Sequence, residues 1–332
     1  MPRQARLDAP GLLHHVMQRG VARGRVFSGR RDYEEFLARL GKALKETGTS
    51  CYAWCLMPNH VHFLFRTGKT PLGRVLQSVL GGYASYYNRR YDRNGHVFQG
   101  RFKSILCEDE PYFRELVRYI HLNPIRAGMA RNLEGLDRYE WSGHGALMGK
   151  AKAEWQDADE VLGRFGKAVG RAREVYREYM EEGLAMGRRP ELEGGSMVRS
   201  TGNSREILRD RSGKHRKGDE RVLGSDRFIR TVLKEVDKRE RERTRLRGLG
   251  LSPAKVMARA ARTAGTTVAE MKGPGRNRLQ SDARALFCKW MVEDLGYGGS
   301  ETAGMLGITK AAVRKAITRG AAIVSARKVR LR

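Results

Sequence analysis

The stretch Cys51-Tyr52-Ala53-Trp54-Cys55-Leu56-Met57-Pro58-Asn59-His60-Val61-His62-Phe63-Leu64-Phe65 decides the fold. Its two apolar runs, 51–56 and 60–65, each have the length of a strand, and Met57-Pro58-Asn59 between them is turn chemistry. The sequence therefore predicts a hairpin. Strand side chains alternate, so His60 and His62 share one face while Val61 points to the core. Two neutral imidazoles side by side can hold one divalent cation. A His-x-His pair is also common on strand surfaces, so the pair alone does not establish a site.

Working outward, residues 12–17 read as a strand that ends near Gly20 and Gly24. Asp32 is a candidate N-cap for a helix carrying Tyr33, Phe36, Leu37, Leu40 and Leu44 at helical spacing. Pro71 opens a second helix whose stripe includes Leu72, Val75, Leu76, Val79, Tyr83 and Tyr87. Asn94-Gly95 marks a turn, and residues 97–106 read as extended. Pro111 opens a third helix that ends before Pro124. The order β-α-β-β-α-β followed by a helix predicts an α+β fold, a ferredoxin-like split βαβ domain with an antiparallel sheet.

The chain has 332 residues and a formal net charge of +28, with 65 Lys and Arg against 37 Asp and Glu. Residues 1–150 contribute +11 and residues 151–332 contribute +17, so no single charged tail explains the total. Such a chain attracts polyanions, with nucleic acid first among them. No run approaches the roughly 18 apolar residues that a membrane span needs. Residues 1–10 lack an apolar core, so no secretory signal and no membrane partner are expected, and a cytoplasmic location is. Four cysteines without a Cys-x-x-Cys pattern exclude a disulfide scaffold. Cys51 and Cys55 read as packing thiols.

The second chemical element is Tyr119-Ile120-His121-Leu122-Asn123-Pro124. On a helix, Tyr119 and Asn123 lie on one face. A phenol can attack phosphorus once relieved of its proton, and an amide oxygen can complete a metal shell. The alternative is a core tyrosine, with Asn123 capping the helix before Pro124. Arg101 and Lys103 share one face of the expected last strand, where they either contact phosphates or form a solvated edge. Tyr83, Tyr86 and Tyr87 read as core residues rather than base-stacking ones. Glu108, Asp109 and Glu110 read as first-turn acids.

These segments, with Gly95-His96-Val97-Phe98-Gln99-Gly100-Arg101-Phe102-Lys103-Ser104, Ile125-Arg126-Ala127-Gly128 and Tyr139-Glu140-Trp141-Ser142, resemble the single-tyrosine HUH transposases over about residues 10–185. The resemblance is strongest to the REP-associated tyrosine transposases. It implies an enzyme that cleaves and rejoins single-stranded DNA, at hairpin (REP-like) sequences, through a 5′-phosphotyrosine. It also implies that His60, His62 and Asn123 bind Mg²⁺ or Mn²⁺ and that Tyr119 is the nucleophile. The chain has no phosphate-binding GxxxxGK[ST] pattern, so no nucleotide cofactor is expected. A non-catalytic DNA-binding regulator on the same fold is the alternative, and an RNA-directed protein a further one. A monomer or a homodimer fits either.

In the second half, residues 161–187 read as an amphipathic helix and residues 188–222 as a Gly-, Ser- and charge-rich linker. Helical patterns then appear at 226–247, 253–264, 266–272, 281–295, 299–306 and 309–319. The last two, joined at Gly307, predict a helix-turn-helix that presents Lys310, Arg314 and Lys315. This part loosely resembles the C-terminal DNA-binding domain of the bacterial replication initiator DnaA. The expected organisation is a catalytic domain over 1–150, a helical extension over 151–187, a linker over 188–225 and an all-α DNA-binding domain over 226–332.

Overall fold

A computed structural model describes residue 7, residues 9–187 except 69, residues 189 and 191–194, residues 221–235 except 226 and 233, residues 245–246, and residues 248–331 except 276. The chain divides into two compact units, Met1–Val232 and Leu233–Arg332.

The first unit is built on β1 (Leu13–Arg19), α1 (Arg30–Thr47), β2 (Ser50–Met57), β3 (His60–Arg66), α2 (Leu72–Arg90), β4 (Lys103–Cys107) and α3 (Asp109–His121). The sheet order is β2-β3-β1-β4-β5, where β5 is Val222–Leu223. The first four strands pair antiparallel, as the β-α-β-β-α-β order leads one to expect. Met57 pairs with His60, so the hairpin turns on Pro58 and Asn59 alone. Val16, Val61, Phe63 and Phe65 pack with α1 and α2, in a core that includes Phe36 and Tyr83. Leu13, Met17, Leu64 and Ile105 pack on the other face with Leu116, Tyr119 and Ile120 of α3. The helix Val169–Glu182 adds Tyr176 and Met180 to that second core.

Several boundaries differ from the sequence reading. Asp32 is not the N-cap of α1. It sits in the first turn, and its carboxylate accepts hydrogen bonds from the backbone N–H of Ser28 (2.8 Å) and Gly29 (2.9 Å). The expected extended run 97–106 is a strand only from Lys103, because Gly100 turns the chain at φ 61°. The expected helix over 161–187 is two, Ala158–Gly163 and Val169–Glu182. Most of the expected linker 188–225 lies outside the described residues. Of its described part, Glu191–Gly194 is a helical turn and Val222–Leu223 pairs in parallel with β4. Tyr83 and Tyr87 are core residues, and all four cysteines are buried and free.

The second unit is helical among its described residues, with helices Pro253–Ala264, Val268–Lys272, Arg278–Lys289, Gly299–Leu306 and Lys310–Arg327 around a core that includes Phe287, Trp290 and Met291. Of the helical pattern 226–247, only residues 227–232, 234–235 and 245–246 are described. The final helix runs past the expected residue 319 to Arg327. Gly320 lets it cross Arg278–Lys289 closely, since a Cβ there would stand 2.2 Å from the Ala285 carbonyl oxygen.

Candidate active site

Register brings the two imidazoles of β3 onto the α3 side of the sheet. His60 lies opposite Arg19 and His62 opposite Met17, so both project from the face on which α3 packs. The His60 and His62 ring centroids are 5.1 Å apart, and the Tyr119 ring is 6.0 Å from that of His62. His62 is buried and His60 is half-buried. The structure thus brings together three of the four expected residues, from strand and helix.

A third imidazole completes the group. His15 on β1 stacks on His62 at 5.4 Å and lies 5.8 Å from the Tyr119 ring. The sequence reading gave His15 no role. The signal that finds it is the pairing of β1 with β3, which no local pattern shows.

The hydrogen-bond network assigns the tautomers. His15 Nδ1 lies 3.0 Å from the Leu192 carbonyl oxygen, which only accepts, so Nδ1 carries the proton. His15 Nε2 then accepts from His62 Nδ1 at 3.1 Å. That leaves the lone pair of His62 on Nε2, which is buried without a hydrogen-bond partner. Asn59 acts in the same way on His60. Its amide nitrogen donates to the Arg23 carbonyl at 3.2 Å, which turns its oxygen to His60 Nδ1 at 2.7 Å. His60 therefore also carries its lone pair on Nε2. Two backbone carbonyls, through one intermediary side chain each, set both Nε2 atoms as donors to an electrophile.

Electrostatics keep these rings neutral. Burial, then the charge of Arg19, lowers His60 to about 4. Burial, then His15, His60 and Arg19, holds His62 well below the usual imidazole range. Burial lowers His15 to about 4 against the opposing bond to Leu192. A neutral imidazole is the form that ligates a metal.

Tyr119 sits in the last turn of α3. Its hydroxyl donates to Glu193 Oε1 at 2.5 Å, and the Arg126 guanidinium lies 5.0 Å from its ring centroid. Asn123 falls one turn beyond, where α3 has closed at His121. Its amide nitrogen donates to the carbonyls of Tyr119 (2.8 Å) and Ile120 (3.3 Å), so it caps the helix and directs Oδ1 away from it. Among the described residues, no group of three or more His, Cys, Asp or Glu side chains is arranged to hold a metal ion.

The basic candidates separate. Lys103 lies opposite Met17 on the imidazole face, and its charge acts on His15. Arg101 precedes the strand and lines a cleft of about 630 Å³ with Gln18, Gln77, His96 and Phe98 on the α2 side. The two do not share a strand face, because β4 begins only at Lys103. Asp109 and Glu110 do lie in the first turn of α3, where Asp109 pairs with Arg66 at 2.6 Å. In the second unit, Lys310 and Lys315 are exposed and Arg314 is half-buried at the start of the last helix.

With that geometry in place, comparison with known proteins is direct. Residues 9–123 match the family described as IS200-like transposases. The matched region runs from before β1 to Asn123 and so holds His15, His60, His62 and Tyr119, whereas Glu193 lies outside it. The match gives the region a transposase-like role in DNA processing. A solved structure of a REP-associated tyrosine transposase bound to a REP hairpin is similar to part of the chain, with 13% identity over 47% of this chain and 98% of that one, at a TM-score of 0.37. No curated protein matches the chain. No described helix is long and apolar enough to cross a membrane.

Proposed function

We propose that the protein is a metal-dependent transposase that cleaves and rejoins single-stranded DNA through a 5′-phosphotyrosine on Tyr119. The observation that carries the reading is the pair of neutral imidazoles, each with its Nε2 lone pair uncommitted, packed against a helix that presents a phenol. His60 and His62 through Nε2, and Asn123 through Oδ1, are the residues that would hold Mg²⁺ or Mn²⁺. Mg²⁺ commonly takes few protein ligands and completes its shell with phosphate oxygens and water, which suits so small a donor set. When bound, the cation supplies Lewis-acid stabilisation of charge on the scissile phosphate.

The remaining roles belong to the chain. The Tyr119 oxygen attacks phosphorus in line, and the 3′ oxygen departs. Arg126 lies over the phenol and favours its ionised form. Arg19 and Lys103 add positive charge on the face where a phosphate arrives. The covalent ester conserves the phosphodiester bond energy, so a later 3′-hydroxyl rejoins the strand without a nucleotide cofactor.

The second unit is proposed to bind DNA, at a hairpin stem. Its last two helices are joined at Gly307 with φ 63°, which supports the reading of a helix-turn-helix. Lys310, Arg314 and Lys315 crowd the positive end of the last helix dipole, whose first turn holds no acid. Like charges at that end are unfavourable alone and favour a phosphate partner.

A suicide oligonucleotide, whose cleaved 3′ fragment remains on the protein, tests the reading. Wild type with Mn²⁺ gives a covalent adduct. EDTA, His60→Ala and Tyr119→Phe each abolish it while salt-sensitive DNA binding persists. An adduct that survives Tyr119→Phe contradicts the proposal. RNA of the same sequence, if cleaved in place of DNA, reassigns the substrate.

A further inference from the structure

We propose that Glu193 is a catalytic residue that accepts the Tyr119 proton, so that the segment ending in residues 191–194 completes a site whose other parts lie in the transposase region. This rests on the reading of Tyr119 as nucleophile. The Tyr119 hydroxyl already donates to Glu193 Oε1 at 2.5 Å, within the reach a general base needs. Such a short O–H to carboxylate bond is the charge-assisted kind.

The carboxylate is held in place from several directions. Arg19 approaches its other oxygen, Oε2, at 3.6 Å, which leaves Oε1 to the phenol. The preceding residue, Leu192, is 1% exposed in the core beneath α3. Its carbonyl accepts from His15 and so sets the tautomer chain of the imidazoles. Arg189 pairs at 3.4 Å with Glu115, one turn before Tyr119 on α3. One short segment thus touches both the imidazole group and the nucleophile.

The chemistry also requires an acceptor. A phenol with an ordinary pKa of about 10 must lose its proton as the O–P bond forms. The imidazoles are committed elsewhere. His15 Nε2 accepts from His62, His62 Nδ1 and His60 Nδ1 are donors, and both remaining Nε2 atoms serve the cation in the proposed reading. Glu193 is an acceptor in direct contact with the phenol. In the balanced step, the Tyr119 O–P bond forms, the P–O3′ bond breaks and the phenolic proton passes to Glu193. In-line attack places the departing 3′ oxygen across phosphorus from Tyr119, out of reach of Glu193, so it takes its proton from water. On rejoining, a 3′-hydroxyl gives its proton to water as its oxygen bonds to phosphorus, the Tyr119 O–P bond breaks, and the departing phenolate recovers the proton from Glu193.

The test uses the full chain with Mn²⁺ and the p-nitrophenyl ester of thymidine 5′-phosphate, whose good leaving group needs no proton. Wild type releases a burst of p-nitrophenolate as the tyrosine ester forms. Glu193→Gln slows the burst by about 10²-fold or more and makes its rate rise with hydroxide concentration, while DNA affinity is unchanged. Glu193→Asp, which keeps the base at shorter reach, gives an intermediate rate. A Glu193→Gln burst as fast as wild type overturns the proposal. A faster one also overturns it, and places the carboxylate in the position of the phosphate as a restraint. A burst that persists in Tyr119→Phe, or none from wild type, removes the nucleophile reading itself.

Discussion

The two faces of the sheet carry the same kinds of residue to opposite ends. On the α1–α2 side, tyrosines from a helix close a dry core. The Tyr83 hydroxyl donates to the Val26 carbonyl at 2.5 Å, Tyr87 bonds to Ser28 Oγ at 2.6 Å, and burial drives Tyr83 above the usual phenol range. On the α3 side, Tyr119 meets a carboxylate and faces neutral imidazoles, one of which has a buried nitrogen with no partner. His14 and His15 are neighbours on β1, yet the first bonds to Ser104 and the second to His62. A strand thus separates structure from chemistry by one residue of alternation.

The sharpest way to break that comparison is to remove one hydroxyl from each face. Tyr119→Phe is expected to lower adduct formation by on the order of 10⁴-fold or more. Tyr83→Phe is expected to leave the adduct rate unchanged and to cost about 1–3 kcal/mol in urea denaturation, because the Val26 carbonyl loses its partner. If Tyr83→Phe also stopped the adduct, the two faces would not be separate.

Phe63 is fully buried on the α1–α2 face. Phe63→Ala is expected to cost about 3–5 kcal/mol through loss of contact and a cavity. Denaturant midpoints measure it, and a loss below about 1 kcal/mol would show that this core is not what holds the sheet.

The dry face also has a pH signature. Burial lowers His14 from 6.5 to about 4. Below 6.5 the unfolded chain takes up a proton that the fold refuses. Stability from this residue is therefore full above 6.5 and falls by about 3 kcal/mol as pH drops toward 4. Denaturation curves across that range show the slope, to which the other buried imidazoles also contribute, and His14→Gln reduces it. An unchanged slope would contradict the burial argument.

The smallest expected effect sharpens the site itself. His15→Ala removes the acceptor that fixes the His62 tautomer and is expected to weaken Mn²⁺ affinity by about 10–100-fold, read by calorimetry. Unchanged affinity would show that the tautomer chain from Leu192 is not used.

Much of this was legible in the sequence. The alternation around Val61 and the Pro58-Asn59 turn gave the hairpin, and the helical stripes gave α1, α2 and α3. Tyr119, His60 and His62 could be singled out because local spacing puts His60 with His62 on one strand face and Tyr119 on one helix face, and the structure brings them together. Asn123 caps the end of α3, as the alternative reading before Pro124 expected. His15 and Glu193 were not legible. Their contacts with His62 and Tyr119 come from strand pairing and from a segment more than seventy residues beyond Tyr119, and no local period encodes them. Arg101 and Lys103 parted because Gly100 adopts a positive φ, which delays the strand.

The central claim is that Tyr119 becomes joined to DNA. Trapping the protein with a suicide oligonucleotide in Mn²⁺, digesting it and mapping the nucleotide by mass spectrometry tests this directly. The account predicts the 5′-phosphate on Tyr119 and on no other residue. A nucleotide mapped to another side chain, or cleavage that leaves no protein-bound nucleotide, would contradict it.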